Sequence, residues 1–96
     1  DDAIRDFTKC IEINANYSPA YSNRAGIYIK QEKWSEAKKD CDKAIQLDPN
    51  NADAYVNRGI AKEMMRDLDG ACKDWQKARE LGSESGKVYH SGNCAH

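Results

Sequence analysis

The residues best equipped for chemistry are two arginine–aspartate sets, two asparagines and four cysteines, and their spacing limits what they can do. Arg24 and Arg58 stand 34 residues apart, as do Asp40 and Asp74, and Asn23 and Asn57. On two antiparallel helices that reverse midway between each Arg and its Asp, Arg24 faces Asp40 and Arg58 faces Asp74. A carboxylate held in this way braces a fold and is a poor general base, so both pairs are expected to be structural ion pairs. An Asn amide offers one acceptor and two donors, enough to hold the backbone of an extended peptide. Asn23 and Asn57 would then form two rungs of a ladder; the alternative is an Asn simply solvated on a helix face. Cys10, Cys41, Cys72 and Cys94 contain no CxxC, which removes the usual zinc and redox motifs. His90, Cys94 and His96 could offer three ligands in a glycine-containing tail, one short of the four that a structural zinc takes. No metal and no other cofactor is expected. With no HExxH, glycine-rich phosphate loop or nucleophile–base set, no enzymatic activity is expected either.

The elements that must position these residues follow from the same recurrence. The block Ser18–Asn51 (SPAYSNRAGIYIKQEKWSEAKKDCDKAIQLDPNN) is followed by Ala52–Ser85, which matches it at ten places, among them Tyr21/Tyr55, Asn23/Asn57, Arg24/Arg58, Ala37/Ala71, Asp40/Asp74, Ala44/Ala78 and Leu47/Leu81. Each block reads as two amphipathic helices. Tyr21, Arg24, Ala25 and Tyr28 follow the i, i+3, i+4, i+7 pattern of a buried face. The predicted helices are Pro19–Gln31, Ser35–Leu47, Ala52–Arg66 and Leu68–Leu81, with a break near Glu32–Lys33. Ser18 is the expected N-cap with Pro19 in the first turn. Asp48-Pro49-Asn50-Asn51 is the first stop, and Gly82, in left-handed conformation, the second. Ala25, Ala37 and Ala44 are small enough to let helix backbones approach closely. Lys62 stands where the first block has Tyr28, and is expected to leave its repeat less tightly closed or to carry its charge outward.

A fixed period of 34 residues built from a helix pair marks stacked helical repeats. The chain resembles the tetratricopeptide repeat (TPR) family through the aromatic Tyr21 and Tyr55, the small Gly59 (Ala25 in the first block), Ala37, Ala71, Ala44, Ala78 and the closing Pro49. The resemblance implies an all-α, right-handed superhelical TPR solenoid. Residues 1–17 are then the second half of a repeat, 18–51 and 52–85 full repeats, and 86–96 a C-terminal capping helix. Such a chain can be stable at 96 residues because neighbouring repeats bury each other. In the first segment Ala3 aligns with Ala37, Phe7 with Cys41 and Trp75, and Cys10 with Ala44. The stripe Ile4, Phe7, Cys10, Ile11 has lost a helix partner on one side, so a homo-oligomer through this N-terminal helix is expected. The chain opens at Asp1 without Met, and is expected to be a fragment or a processed product. The segment DWQKARELG is similar to the last repeat of bacterial TPR proteins.

A net charge of −1 lacks the basic excess of a nucleic-acid footprint. No apolar run nears the roughly 20 residues of a membrane helix, so neither nucleic acid nor membrane insertion is expected. The resemblance implies protein–protein interaction. The concave face would hold a peptide or protein segment along Ser22, Asn23, Gly26, Ile29 and Lys30 in the first block and Val56, Asn57, Ile60, Glu63 and Met64 in the second. The alternative is a purely structural, oligomerising segment of a longer array with no peptide ligand. AYSNRAGIY resembles the middle repeat of TPR domains that clamp the C-terminal carboxylate of chaperones such as Hsp70 and Hsp90. Those domains follow it with a Lys and an Arg at the places held here by Asp53 and Asn57, so the clamp is not expected. Finally, a chain reversing at Gly82-Ser83 would bring Cys72 opposite Cys94. A bridge there would tie the glycine-containing cap to the last repeat and imply an oxidising compartment such as a periplasm; the alternative is two buried free thiols.

Overall fold

The computed structural model describes residues 2–94. Six helices follow one another: α1 (Asp2–Ile13), α2 (Ser18–Lys30), α3 (Trp34–Leu47), α4 (Ala52–Met64), α5 (Leu68–Glu80) and α6 (Glu84–Asn93). Each packs antiparallel on the next, while α2 also lies beside α4 and α4 beside α6. The result is an elongated all-α stack of 43 × 24 × 18 Å.

Alanines decide how closely the helices approach. Ala25, Ala37, Ala44, Ala54, Ala61, Ala71 and Ala78 have no exposed surface, and each sits where two helices meet. Three apolar clusters lie along the stack. Tyr21, Ala44 and Ala54 join the repeats with Ile11, Ile45 and Leu47 packed around them. Ala25, Ala37 and Cys41 close the α2–α3 hairpin beneath Tyr28, Ile29 and Trp34, and Ala61 of α4 packs against them. Ala71, Trp75 and Cys94 form the third, with Ile60, Cys72 and Tyr89 around them. By contrast α1 has no fully buried residue, and Ile13 at its end is 83% exposed.

Polar groups tie the first hairpin to the second. Asn51 caps α4 by accepting from Ala54 N at 3.2 Å, and its amide donates to Ser18 Oγ at 2.8 Å and Ser22 Oγ at 3.2 Å. Ser18 Oγ in turn donates to Ala44 O at 2.8 Å. Ser18 is therefore not the N-cap: it lies inside α2, buried, and Tyr17 takes the cap position without a side-chain bond. At the joint the Ser18 hydroxyl adds a second hydrogen bond to Ala44 O, which already accepts from Asp48 N at 2.9 Å, and so ties α2 to the end of α3. The predicted helices also overrun their ends. α2 stops at Lys30, α4 at Met64 and α5 at Glu80, while α3 already begins at Trp34.

The turns show why. Glu32 (φ 60), Arg66 (φ 68) and Gly82 (φ 94) each adopt left-handed backbone at the middle of a three-residue connection. The hydrogen bonds are the same in all three: Lys33 N to Tyr28 O, Asp67 N to Lys62 O and Ser83 N to Ala78 O at 2.8–3.0 Å. This is the Schellman-type closure of a helix end. The α5–α6 connection thus has the geometry found inside a hairpin, not that of the longer Asp48–Asn51 link between hairpins. The capping helix expected from residue 86 begins instead at Glu84, with Ser83 Oγ accepting from Gly86 N at 3.0 Å.

Candidate functional site

Two helices bearing Asn23 and Asn57 side by side create a groove between them. It has a volume of about 390 Å³ and is lined by Ser22, Asn23, Gly26, Ile27, Ile29 and Lys30 of α2, Asp53, Val56 and Asn57 of α4, and Ser85 of α6. Asn23, Lys30 and Asp53 present exposed polar heads, while Val56 is buried at the floor. A second depression of about 350 Å³ is walled by Ser35, Glu36, Lys38, Lys39 and Asp42 of α3 together with Met65. Its walls mix charges of both signs, Glu36 and Asp42 with Lys38 and Lys39, and Asp42 is already engaged by Arg58.

Asn57 is not a free rung. Its amide donates to Ser22 O at 3.1 Å and so couples α4 to α2, while Asn23 alone stays exposed. The groove also ends earlier than the sequence implied. Ile60 is turned into the cluster of Trp75, Cys94 and Tyr89. Glu63 and Met64 lie outside the depression, with Met64 51% exposed near the α4–α5 corner. Ile27 and Ser85 line it as well. Ser85 had no sequence signal, because it enters the groove only through the early start of α6.

The arginine–aspartate pairs flank the groove's helices from within. Arg24 Nε and Nη2 donate to the two oxygens of Asp40 at 2.7 and 2.8 Å, and Arg58 does the same to Asp74 at 2.9 and 2.8 Å. Arg24 also reaches Thr8 Oγ1 at 3.2 Å on α1, and lies 5.9 and 5.8 Å from the Tyr21 and Tyr28 ring centres. Arg58 adds Asp42 at 3.0 Å and lies 5.5 Å from the Tyr55 ring centre. Lys62 does not carry its charge outward: its ammonium sits 3.1 Å from Asp74. The hydrogen bond that each arginine donates to its Asp raises the arginine's pKa, against the opposing effect of burial. Both guanidiniums are therefore fixed cations. Asp40 and Asp74, buried and fully engaged, are braces in this geometry.

Trp75 is wholly buried, its indole N–H donating to Val56 O at 3.3 Å and its ring stacked on Tyr89 at 5.2 Å. Gly59 makes this possible, since a Cβ there would overlap the indole nitrogen. Cys72 and Cys94 form a disulfide, with Cα atoms 5.8 Å apart. Cys41 is a buried free thiol whose pKa burial pushes well above the ordinary range, and Cys10 is free and exposed. Cys94 is thus engaged by sulfur, and His96 lies outside the described residues, so His90 and Cys94 offer no open ligand set.

Sequence profiles of the tetratricopeptide repeat match residues 18–51 and 41–73. The chain belongs to the tetratricopeptide repeat family. Solved TPR structures superpose over nearly its whole length. The Arabidopsis OM64 TPR domain has a TM-score of 0.88 at 28% identity, covering 97% of this chain and 78% of its own. The second TPR domain of human RPAP3, in complex with the HSP70 peptide SGPTIEEVD, gives 0.85 at 29% identity, covering 97% and 79%. The second TPR of Spaghetti (RPAP3), bound to the HSP90 peptide SRMEEVD, gives 0.79 at 33%, covering 81% and 72%. No curated protein sequence matches significantly. The fold is an all-α TPR solenoid, and TPR domains are typically protein-interaction modules without catalysis.

Proposed function

We propose that this TPR chain is a non-enzymatic module that holds an extended peptide segment in the groove between α2 and α4. The observation carrying this reading is the groove itself: exposed Asn23 and Lys30 heads stand beside the apolar Ile29 and Val56, and the bonds that brace the fold are made by Ser18, Ser22, Asn51 and Asn57 instead. TPR domains 29% and 33% identical to it hold chaperone peptides ending in EEVD, which supports a peptide as ligand. Asp53 on the groove wall opposes a terminal carboxylate by like-charge repulsion. An internal segment, with apolar anchors for Ile29 and Val56 and backbone groups for Asn23, is the better fit.

A displayed heptapeptide library with free and blocked C-termini tests this. Ligands selected on the wild-type chain are expected to tolerate a blocked terminus and to lose roughly tenfold affinity when Asn23→Ala and Lys30→Ala are combined. That loss equals the about 1.4 kcal/mol of a pair of modest polar contacts. No enrichment, or binding indifferent to the double substitution, would overturn the reading.

The exposed Ile13 and the half-buried Phe7 and Ile11 of α1 favour a second reading, in which α1 stacks against another copy. Sedimentation across a concentration series is expected to show self-association that Phe7→Glu abolishes. A strict monomer at high concentration removes it.

A further inference from the structure

The groove stops at Ile60 because α6 lies over the next stretch of α4, and what holds α6 there is unusual for this stack. α6 is ten residues long, contains Gly86 and Gly92, and exposes Val88 to 66%. Short helices are marginal in water, and glycine weakens them further. Within Glu84–Cys94 only Gly86 and Cys94 are buried. Gly86 rests on Ala78, where a side chain would come within 2.6 Å of the Ala78 methyl. Tyr89 stacks on Trp75, and Cys94 reaches the Ala71–Trp75 cluster through its bond to Cys72. These few buried residues are supplemented by one covalent tie.

We propose that the Cys72–Cys94 disulfide is a redox latch whose reduction releases α6 from α4 and α5, uncovering Ile60 and one face of Trp75. The reductant is a dithiol. Its first thiolate attacks the sulfur of Cys72, the more exposed of the two, and Cys94 leaves as a thiolate. The second thiol of the reductant then attacks the mixed disulfide, expelling Cys72. Two electrons and two protons pass to the protein, leaving two cysteine thiols and an oxidised, disulfide-bonded reductant. The uncovered strip continues Val56 along α4, beside Ile29 of α2. Reduction therefore extends the groove's apolar floor while withdrawing Ser85 from its wall, and this consequence alone rests on the peptide-binding reading.

Hydrogen exchange on the peptide-free chain, untreated and after dithiothreitol, tests the latch without reference to any ligand. Reduction is expected to lower the protection of the amides of residues 87–93 at least tenfold while leaving α2, α3 and α4 unchanged. In a Trp34→Phe background the Trp75 emission is expected to shift to the red. Cys94→Ser, which cannot close the bridge, is expected to match the reduced chain. The proposal is overturned if protection of α6 stays within twofold, if the whole stack loses protection together, or if Cys94→Ser behaves as the oxidised chain. Four alkylatable thiols in the untreated, unfolded protein, after exposure to an oxidising glutathione buffer, would also end it.

Discussion

The two hairpins fill the same joint in opposite ways. In the first, Ala25 on α2 meets Cys41 on α3, and Tyr28 and Trp34 close the space over them. In the second, the equivalents of Ala25, Tyr28 and Cys41 are Gly59, Lys62 and Trp75. Volume has moved from one helix to the other: the indole of Trp75 occupies the place that a Cβ on residue 59 would need. The electrostatics changed with it. Asp40 serves one cation, Arg24, whereas Asp74 serves Arg58 and Lys62 together. The lesson is that a repeat conserves the total of what fills a joint, not the residue at each place.

The charge difference should give the largest effect. Asp74→Ala leaves two largely buried cations, Lys62 without its carboxylate and Arg58 with Asp42 alone, and is expected to cost about 3–5 kcal/mol in urea unfolding. Asp40→Ala leaves one and is expected to cost less. Equal losses would mean that the Lys62 contact contributes nothing.

The volume trade comes next. Gly59→Ala overpacks the joint and is expected to cost about 1–3 kcal/mol, a penalty that disappears in a Trp75→Cys background if the two positions are coupled. The reciprocal Ala25→Gly, with no indole opposite, should cost only the roughly 0.5–1 kcal/mol of a helical glycine. Additive effects of Gly59→Ala and Trp75→Cys would break the comparison.

Cys41 sharpens it through pH. Burial raises its folded pKa above the ordinary 9.0, so the folded chain keeps a proton that the unfolded chain loses. Stability is therefore full below that value and falls as pH rises past it, by up to about 1.4 kcal/mol per unit. Cys41→Ala is expected to flatten this slope between pH 9 and roughly pH 10.5, and the wild-type thiol is expected to resist alkylation while Cys10 reacts. An unchanged slope would place the ionisation elsewhere.

The smallest effect concerns what the hairpins share. Glu32 and Arg66 pay for left-handed backbone that glycine adopts freely, so Glu32→Gly and Arg66→Gly should each stabilise by about 0.5–1 kcal/mol. Gly82→Ala should destabilise by a similar amount, since φ is 94 there. Opposite signs in thermal unfolding would deny that the three turns are alike.

The helical hairpins and their order follow from the amino-acid pattern alone. Period, apolar stripe and alanine positions recur together, and a recurrence of that length has one geometric meaning. The same spacing alone puts Arg24 opposite Asp40 and Arg58 opposite Asp74, because both partners shift together from one block to the next. Which polar groups meet across different elements depends instead on how the helices pack. Ser18, Asn57 and Lys62 carry donors that any nearby acceptor can satisfy, and packing brought Ala44 O, Ser22 O and Asp74 within reach. The placement of α6 was likewise a tertiary matter. Tyr89 lies 34 residues beyond Tyr55, yet the recurrence carries no information about the length of the connection before it. Where the first block has Asp-Pro, the second has Gly82-Ser83, and a three-residue turn with its own cap costs less than a longer link. The helix therefore starts two residues early, Ser85 enters the groove, and Tyr89 lies on Trp75 above Ile60.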